Sequence, residues 1–149
     1  MFQGPTMQTS KPSLVFLAIL WGLLLVYLCE GQNWSSFQNK HVDYPQSSAP
    51  NLNTYCDLMM RRRQLNPKRC KPLNTFINQQ AAVVKQVCVN EGTHYKSNLY
   101  DSIQSFHLIN CRNTGGTSPD SCKYVGTSQK ARIRVACENN QPVHFEDVL

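Results

Sequence analysis

Hydrophobic residues follow two different spacings along this chain, helical in the first half beyond residue 31 and alternating in the second. Phe37 and His41 lie four residues apart, which places both side chains on one face of a helix. Ser35 or Ser36 is suited to cap that helix, because a serine hydroxyl accepts a backbone N–H of the first turn. The pattern therefore predicts a short helix that presents an aromatic ring and an imidazole together.

Two further helices are predicted before the alternating part of the chain begins. One starts at Asn53 or Thr54 and runs through an apolar stretch into three arginines. The other covers Asn78 to Val89, where alanines and valines follow one another, although the valines alone also suit a strand. The first half of the domain is therefore predicted to be mainly helical.

The second half alternates apolar and polar residues at the period of two that indicates strands. Polar turns, such as the glycine-containing segment at residues 114–119, separate the alternating runs. Helices followed by strands predict an α+β fold with an antiparallel sheet. The predicted strands are Phe106–Ile109, Lys123–Val125, Ala131–Ala136 and Pro142–Phe145.

An apolar run occupies residues 14–28, ahead of these elements, with Lys11 on its N-terminal side. A run of about 15 residues is short for a bilayer span and typical of the core of a signal peptide. We therefore predict that residues 1–31 are a signal peptide that is removed, which leaves residues 32–149 as a single domain. A retained membrane anchor is the alternative, although no second apolar run or basic stop-transfer cluster follows.

Removal of residues 1–31 leaves six cysteines in the domain. An even number in a small secreted chain predicts three disulfide bonds, but the number alone does not decide which cysteines pair. A zinc site is the alternative, yet the sequence has no Cys-x-x-Cys pair and its four histidines are scattered. We therefore predict disulfides, no metal site and no cofactor.

The chain is basic, with a net charge of +6 that the loss of Lys11 and Glu30 would leave unchanged. A positive surface favours polyanionic partners, such as RNA, heparan-type glycans or bacterial surfaces. If the partner is RNA, contacts to phosphate groups make the affinity fall steeply as the salt concentration rises. Charge alone does not choose among these partners, so the choice depends on local motifs.

Three local sequence motifs determine which of these partners is favoured. They are Cys-Lys-Pro-Leu-Asn-Thr-Phe at residues 70–76, Pro-Val-His-Phe at residues 142–145, and Phe37 with His41. Together these motifs resemble the pancreatic ribonuclease superfamily, and the resemblance covers nearly all of the chain after residue 32. The resemblance implies an α+β fold in which three short helices pack on a twisted antiparallel sheet. It also implies three disulfides: Cys56–Cys111, Cys70–Cys122 and Cys88–Cys137.

The resemblance is strongest to the angiogenin-like branch of this superfamily. No cysteine lies between Cys88 and Cys111, and the spacing from Cys137 to His144 is short, as it is in that branch. Angiogenins also have a basic nuclear-targeting segment and a cell-binding loop. The matching residues here are Arg61, Arg62, Arg63, Gln64 and Leu65 for the segment, and Tyr95, Lys96, Ser97, Asn98 and Leu99 for the loop. The arginines equally suit a solvated helix end that aids RNA or glycan binding.

The resemblance implies three catalytic residues. His41 corresponds to the general base, His144 to the general acid, and Lys71 to the cation that stabilises the phosphate in the transition state. Histidine suits both proton roles because its ordinary pKa lies near neutral pH, and an ammonium group donates hydrogen bonds to phosphate oxygens as charge builds. A lone histidine or lysine is usually a surface or packing residue. The occurrence of all three in correctly ordered motifs favours catalysis.

Further residues are expected to bind the substrate. Thr75 is expected to read a pyrimidine with its hydroxyl and backbone N–H, because a hydroxyl can donate or accept a hydrogen bond. Asn74 is expected to hold the active-site backbone, and Phe145 to pack against the base. Glu138 is expected to contact a second base, with a simple solvated glutamate as the alternative. Lys40 is expected to bind the phosphate.

Four positions depart from the family pattern. Lys40 replaces a glutamine that contacts the scissile phosphate, and its charge would lower the basicity of His41. Glu146 replaces the aspartate that orients the acid histidine. Asn110 replaces an aspartate behind the base-reading threonine, and Asp147 stands where mammalian angiogenins place a glutamine that blocks the pyrimidine pocket. The sequence leaves the choice between cytidine and uridine open.

Together with the signal peptide and the charge, the resemblance implies a secreted, metal-independent endoribonuclease of angiogenin type with a growth-promoting or host-defence role. It is expected to cleave RNA, including tRNA, on the 3′ side of pyrimidines through a 2′,3′-cyclic phosphate. Expected partners of this monomer are heparan-type glycans or a cell-surface receptor and a cytosolic ribonuclease inhibitor, and uptake to the nucleus is expected. The alternative function is a cationic signalling or antimicrobial ligand for which cleavage is incidental.

Overall fold

The computed structural model describes residues 32–149 of the protein, and the predicted signal peptide at residues 1–31 lies outside the described residues. The described residues form a single unit. Within them, no helix is long and apolar enough to cross a membrane. Between residues 32 and 149, no three His, Cys, Asp or Glu side chains are grouped in a way that could hold a metal ion.

Three short helices lie in the first half of the described chain: α1 at Trp34–His41, α2 at Leu52–Arg62 and α3 at Ala81–Lys85. Asn33 caps α1, because its Oδ1 atom accepts a hydrogen bond of 2.8 Å from the backbone N–H of Ser36. The predicted caps Ser35 and Ser36 are therefore wrong. Both residues lie inside the first turn. Asparagine is as good an N-cap as serine, and because Asn33 comes earlier in the chain, the helix begins after it.

An asparagine also caps α2, which begins earlier than predicted. The Asn51 Oδ1 atom accepts a hydrogen bond of 2.8 Å from the backbone N–H of Thr54. α3 is shorter than the predicted helix at residues 78–89, and one 3₁₀ turn at Gln86–Cys88 follows it. Its start is late because the Asn78 backbone N–H donates to the carbonyl oxygen of His107, which keeps residue 78 beside a strand.

The strands form two antiparallel sheets, where the sequence predicted one. The strands are β1 Leu73–Ile77, β2 Gly92–Lys96, β3 Leu99–Ser102, β4 Phe106–Gly115, β5 Lys123–Ala131, β6 Ile133–Glu138 and β7 Gln141–Val148. Three predicted strands lie within β4, β5 and β7, whereas the predicted strand Ala131–Ala136 is divided, because β5 ends at Ala131 and β6 starts at Ile133. β1, β2 and β3 were not predicted. One sheet has the order β1-β4-β5, and the other has the order β2-β3-β6-β7.

Two hydrophobic clusters bury the inner faces of these elements. One contains Phe37 of α1 with Ile77 and Ile133, and the other contains Met59 of α2 with Phe76, which is fully buried. The three disulfides tie the elements together, and their pairing is the one that the family resemblance implied. The bridges are Cys56–Cys111, Cys70–Cys122 and Cys88–Cys137. The predicted α+β fold with three helices and three disulfides is thus confirmed.

Candidate active site

His41 is the last residue of α1, and three contacts fix the position of its ring. Its Nδ1 atom lies 2.8 Å from the carbonyl oxygen of Thr75 in β1, so Nδ1 donates and Nε2 keeps a lone pair. The rings of Phe37 and Phe145 lie with their centroids 5.0 Å and 5.1 Å from the imidazole. These contacts select the tautomer in which Nε2 is the basic nitrogen.

Burial lowers the pKa of His41 to about 3, because the charged imidazolium loses solvation in this position. The hydrogen bond to Thr75 opposes this shift, whereas the positive charges of Lys71, Lys40 and His144 add to it. His41 is therefore neutral near neutral pH. A neutral imidazole is the form that a general base requires.

Lys71 is connected to α1 through Asn74, a buried residue of β1. The Lys71 Nζ atom donates a hydrogen bond of 2.8 Å to Asn74 Oδ1, and Asn74 Nδ2 donates one of 2.9 Å to the carbonyl oxygen of Lys40. Burial lowers the pKa of Lys71, and the nearby charge of Lys40 lowers it further. Asn74 thus links the ammonium group to the helix that carries His41.

His144 and Glu146 lie two residues apart in β7, so their side chains emerge on the same face of the strand. The His144 Nε2 atom is 3.1 Å from Glu146 Oε2, and the two side chains are 46% and 44% exposed. Donation from Nε2 leaves Nδ1 as the nitrogen that can exchange a proton with a substrate. Glu146, despite its extra methylene, reaches the histidine that it was predicted to orient.

Thr75 presents polar groups on two sides of β1. Its hydroxyl donates a hydrogen bond of 2.8 Å to Asn110 Oδ1 on β4. Its carbonyl oxygen faces His41, and because the N–H and C=O of one strand residue point to the same side, its N–H also faces away from β4. Asn110 in turn donates to Gln129 of β5, a residue that lies in none of the sequence motifs.

One cavity of about 610 Å³ brings the predicted catalytic residues together with most of the predicted substrate-binding residues. Asn110, Gln129 and Asp147 contribute to the same lining. The side chain of Asp147 accepts a hydrogen bond from the backbone N–H of Val148. The hydroxyl of Thr75 is directed to Asn110. The predicted site residues that line this cavity are His41, Lys71, His144, Lys40, Asn74, Thr75, Phe145 and Glu146.

Glu138 lies outside this cavity. It is exposed at the end of β6, where it pairs with Gln141 across the turn into β7. Its predicted contact with a second base stays a prediction.

The predicted nuclear-targeting segment at residues 61–65 divides into exposed and structural residues. Arg61, Arg62 and Gln64 are exposed, whereas Leu65 is buried in the core. Arg63 Nη1 donates hydrogen bonds to carbonyl oxygens at and just beyond the end of α1, and its Nη2 lies 3.5 Å from an Asp43 carboxylate oxygen. The sequence does not indicate this structural role of Arg63, because its partners lie about 20 residues or more away along the chain.

The predicted cell-binding loop at residues 95–99 is the tip of the hairpin that joins β2 to β3. Tyr95 is 48% exposed, and Ser97 has a left-handed backbone with φ of 49° in the turn. The Arg134 guanidinium lies 3.5 Å from the centroid of the Tyr95 ring and also pairs with Asp101. The segment is thus an exposed hairpin tip, with one face held by a stacked arginine.

The two-sheet fold, the three disulfides and a cavity that joins two histidines to a lysine define a ribonuclease-like protein. Residues 32–146 match the family described as pancreatic ribonuclease, and the chain belongs to this family.

Similar proteins come from reptiles and mammals. The chain is 64% identical to a pancreatic ribonuclease of Iguana iguana over 79% of this chain and 99% of the relative. It is 41% identical to a pancreatic ribonuclease of Sus scrofa over 74% of this chain and 92% of the relative. Its fold matches the crystal structure of green turtle egg white ribonuclease with a TM-score of 0.75 and 40% identity, covering 78% of this chain and 98% of that structure.

Proposed function

We propose that this protein is a secreted endoribonuclease that cleaves RNA, including tRNA, on the 3′ side of pyrimidines. The observation that carries the proposal is the lining of one cavity by His41, Lys71, His144 and Thr75. The names of similar proteins, which are ribonucleases, support the same class of activity. Three disulfides are typical of the oxidising environment that secreted proteins encounter, and they support secretion.

His41 starts the proposed reaction as the general base. Its Nε2 atom takes the proton of the ribose 2′-hydroxyl, and the 2′-oxygen forms a bond to phosphorus. The oxyanions that develop on phosphorus receive hydrogen bonds from the Lys71 ammonium, whose position Asn74 holds. The product of this step is a 2′,3′-cyclic phosphate.

His144 completes the step as the general acid. As the bond between phosphorus and the 5′-oxygen breaks, His144 Nδ1 gives its proton to that oxygen, while Nε2 stays directed at Glu146. Hydrolysis of the cyclic phosphate then follows with the two histidines in exchanged roles. The two imidazoles and the ammonium supply every proton and charge that this reaction requires, so the proposal includes no metal ion.

Thr75 is proposed to select pyrimidines. Its backbone N–H can donate to the O2 atom of the base, and its hydroxyl can pair with N3, which lies beside O2 on the ring. Phe145, whose ring packs against His41, offers an apolar surface at the same place.

The test compares two substrates that differ only in the leaving group: a uridylyl-adenosine dinucleotide and uridine 3′-(4-nitrophenyl phosphate). His41→Ala is expected to lower kcat/KM by about 10²- to 10⁴-fold on both. His144→Ala is expected to lower kcat/KM by a similar factor on the dinucleotide only, because nitrophenolate leaves without protonation. The control variant is His107→Ala, since His107 is exposed and outside the cavity.

Equal losses for His41→Ala and His107→Ala would remove the basis of the proposal. Equal losses for His144→Ala on the two substrates would refute the acid assignment. The same dinucleotide assay with excess EDTA tests metal independence, and an activity that EDTA abolishes would contradict it.

We further propose that the enzyme is of angiogenin type and acts as a monomer in growth promotion or host defence. The absence of cysteines between Cys88 and Cys111 and the exposed β2–β3 hairpin tip support this proposal. The proposed partners are heparan-type glycans or a cell-surface receptor, and a cytosolic ribonuclease inhibitor. Arg61 and Arg62, both exposed, are the side chains that remain accessible for glycans or for nuclear uptake.

A cationic signalling or antimicrobial ligand is the second candidate function, favoured by the net charge of +6 and the exposed Tyr95 at the hairpin tip. His41→Ala separates the two candidates in a cell-growth or bactericidal assay. Loss of the cellular effect together with cleavage supports the enzyme. A cellular effect that survives in His41→Ala supports the ligand.

A further inference from the structure

Three polar side chains cross the sheet β1-β4-β5 in a line on the side of the cavity. Thr75 pairs in register with Asn110 of β4, and Asn110 pairs with Thr127 of β5, two residues before Gln129. Residues two apart in a strand share a face, so Thr75, Asn110 and Gln129 lie on one surface. All three line the cavity of the candidate active site.

The hydrogen bonds along this line run in one direction. The Thr75 hydroxyl donates to Asn110 Oδ1 at 2.8 Å, and Asn110 Nδ2 donates to Gln129 Oε1. A hydroxyl has one proton and two lone pairs. Because Thr75 gives its proton to Asn110, the oxygen that faces the cavity offers lone pairs and acts as an acceptor.

The two pyrimidines differ at the atom that would meet this oxygen. N3 of uracil carries a proton and donates, whereas N3 of cytosine is unprotonated and accepts. An acceptor in the protein therefore pairs with uracil and leaves cytosine without a hydrogen bond at N3. A buried polar group that loses its partner typically costs a factor of about ten or more in affinity.

We propose that Gln129 is a specificity-determining residue that selects uridine over cytidine through Asn110. By accepting a hydrogen bond from Asn110 Nδ2, Gln129 keeps the Asn110 carbonyl directed at Thr75. This inference rests on the proposed function, because it assumes that Thr75 reads the base. It adds a positioning residue, whose role is to orient the Asn110 amide.

The need for Gln129 follows from the chemistry of Asn110. An aspartate at position 110 can only accept, so it would hold the Thr75 hydroxyl as a donor without help. An asparagine can present either its oxygen or its nitrogen to Thr75. If Asn110 turned its nitrogen to Thr75, the hydroxyl would be released to donate to N3 of cytosine. The residue at position 129 therefore determines in which direction the hydrogen bonds between Thr75, Asn110 and Gln129 run.

The test uses two substitutions of Gln129, each of which allows only one direction of the hydrogen bond with Asn110. Gln129→Glu can only accept, so it is expected to keep or increase the preference for uridine. Gln129→Lys can only donate, so it should turn the Asn110 oxygen toward itself and shift the preference toward cytidine by about tenfold. Gln129 is exposed, so both variants are expected to fold, and thermal unfolding checks this.

A second pair of variants isolates the mechanism. In an Asn110→Asp background, Gln129→Lys should no longer change the preference, because the carboxylate keeps the Thr75 hydroxyl as a donor. Ser128→Lys adds the same charge on the neighbouring exposed position and should leave the ratio of the two pyrimidines unchanged. The measured quantities are the uridine-to-cytidine ratio of kcat/KM on matched dinucleotides and the ratio of dissociation constants for uridine 3′-phosphate and cytidine 3′-phosphate.

The binding ratio separates failure of this inference from failure of the proposed function. If neither dinucleotide is cleaved but the nucleotide affinities shift as expected, the enzymatic function fails and the role of Gln129 stands. If cleavage occurs and Gln129→Lys leaves both ratios unchanged, the role of Gln129 is refuted. A wild-type protein that prefers cytidine also overturns the inference.

Discussion

Arg63, at the end of α2, holds the end of the helix that carries His41. The Arg63 Nη1 atom lies 3.0 Å from the carbonyl oxygen of Val42, the residue that follows His41, and 2.8 Å from that of Asn39. In return, Asn39 Nδ2 donates to the Arg63 carbonyl oxygen at 3.0 Å. The last carbonyls of a helix have no partner within the helix, and here an arginine from a second helix supplies it.

We therefore expect Arg63→Gln to lower both stability and activity. Loss of these charge-assisted hydrogen bonds should reduce the free energy of unfolding by about 2 kcal/mol. Denaturant unfolding measures the first effect, and kcat/KM on a dinucleotide measures the second. Arg62→Gln is the matched control, because Arg62 is exposed on the same turn. Similar losses in the two variants would show that Arg63 does not position α1.

A second prediction concerns the dependence of stability on pH. The pKa of His41 is about 3 in the folded protein, against an ordinary value of 6.5. Below pH 6.5 the unfolded chain therefore binds a proton that the folded protein does not, and the folded state loses stability as the pH falls. Above pH 6.5 the histidine is neutral in both states and its burial costs no stability. Below pH 6.5 the free energy of unfolding falls by up to about 1.4 kcal/mol per pH unit.

Denaturant unfolding between pH 7 and pH 4 tests this prediction. His41→Ala should show a shallower fall in stability with decreasing pH than the wild type, and His107→Ala should retain the wild-type slope. The acid limb of kcat/KM should also lie below pH 6.5, because His41, the proposed general base, stays neutral there. An acid limb at or above pH 6.5 would contradict the environment described for His41.

Asn74→Ala is expected to act on catalysis more than on substrate binding. The substitution removes both the acceptor of Lys71 Nζ and the donor to the Lys40 carbonyl oxygen. Misplacement of the ammonium relative to the phosphate should lower kcat by about 10- to 100-fold. Steady-state kinetics on a dinucleotide measure kcat and KM separately, and Asn90→Ala, at an exposed position, is the control. A rise in KM with kcat unchanged would assign Asn74 to binding instead.

The active site was more predictable from the sequence than the strands around it. His41, Lys71 and His144 lie in short motifs that the family resemblance could match, and the structure places all three along one cavity. β1 was missed because Asn74 and Thr75 are polar and yet buried, which breaks the expected alternation. Their burial is explained only by hydrogen bonds to distant residues, such as Lys40 and Asn110.

The hairpin β2–β3 and the contact between Asn110 and Gln129 were missed for a related reason. β2 is almost entirely exposed, so its sequence has no buried face to produce a hydrophobic pattern. Gln129 meets Asn110 only after β4 and β5 pair, and no local spacing indicates that register. Features that depend on pairing between distant segments therefore required the structure.

Glu146 is expected to contribute modestly to the reaction. Its contact with His144 is 3.1 Å long, but both side chains are nearly half exposed, and solvent screening limits such pairs to about 0–1 kcal/mol. Glu146→Gln should therefore lower kcat/KM by no more than about fivefold, and added salt should narrow the difference from the wild type. Dinucleotide cleavage at two salt concentrations measures this, and a loss of 100-fold would mean that Glu146 has a larger role than orienting His144.

Two disulfides that close loops of nearly equal length should differ in their effect on activity. Cys56–Cys111 and Cys70–Cys122 have sequence separations of 55 and 52, so the loss of either is expected to cost about 4 kcal/mol of stability in the chain-entropy model. Cys56 and Cys111 are fully buried in the core, and Cys111 follows Asn110, whereas Cys70 directly precedes Lys71, the residue proposed to stabilise the phosphate.

Replacement of each pair by alanine separates stability from catalysis. We expect both double variants to unfold at lower denaturant concentrations, with the Cys56–Cys111 pair at least as costly because its removal also leaves a cavity in the core. In conditions where both remain folded, the variant without Cys70–Cys122 should show the lower kcat, since its Lys71 backbone is less restrained. Equal kcat values would mean that the hydrogen bonds of Lys71 to Asn74, Asn66 and Tyr124 hold it in place without the disulfide.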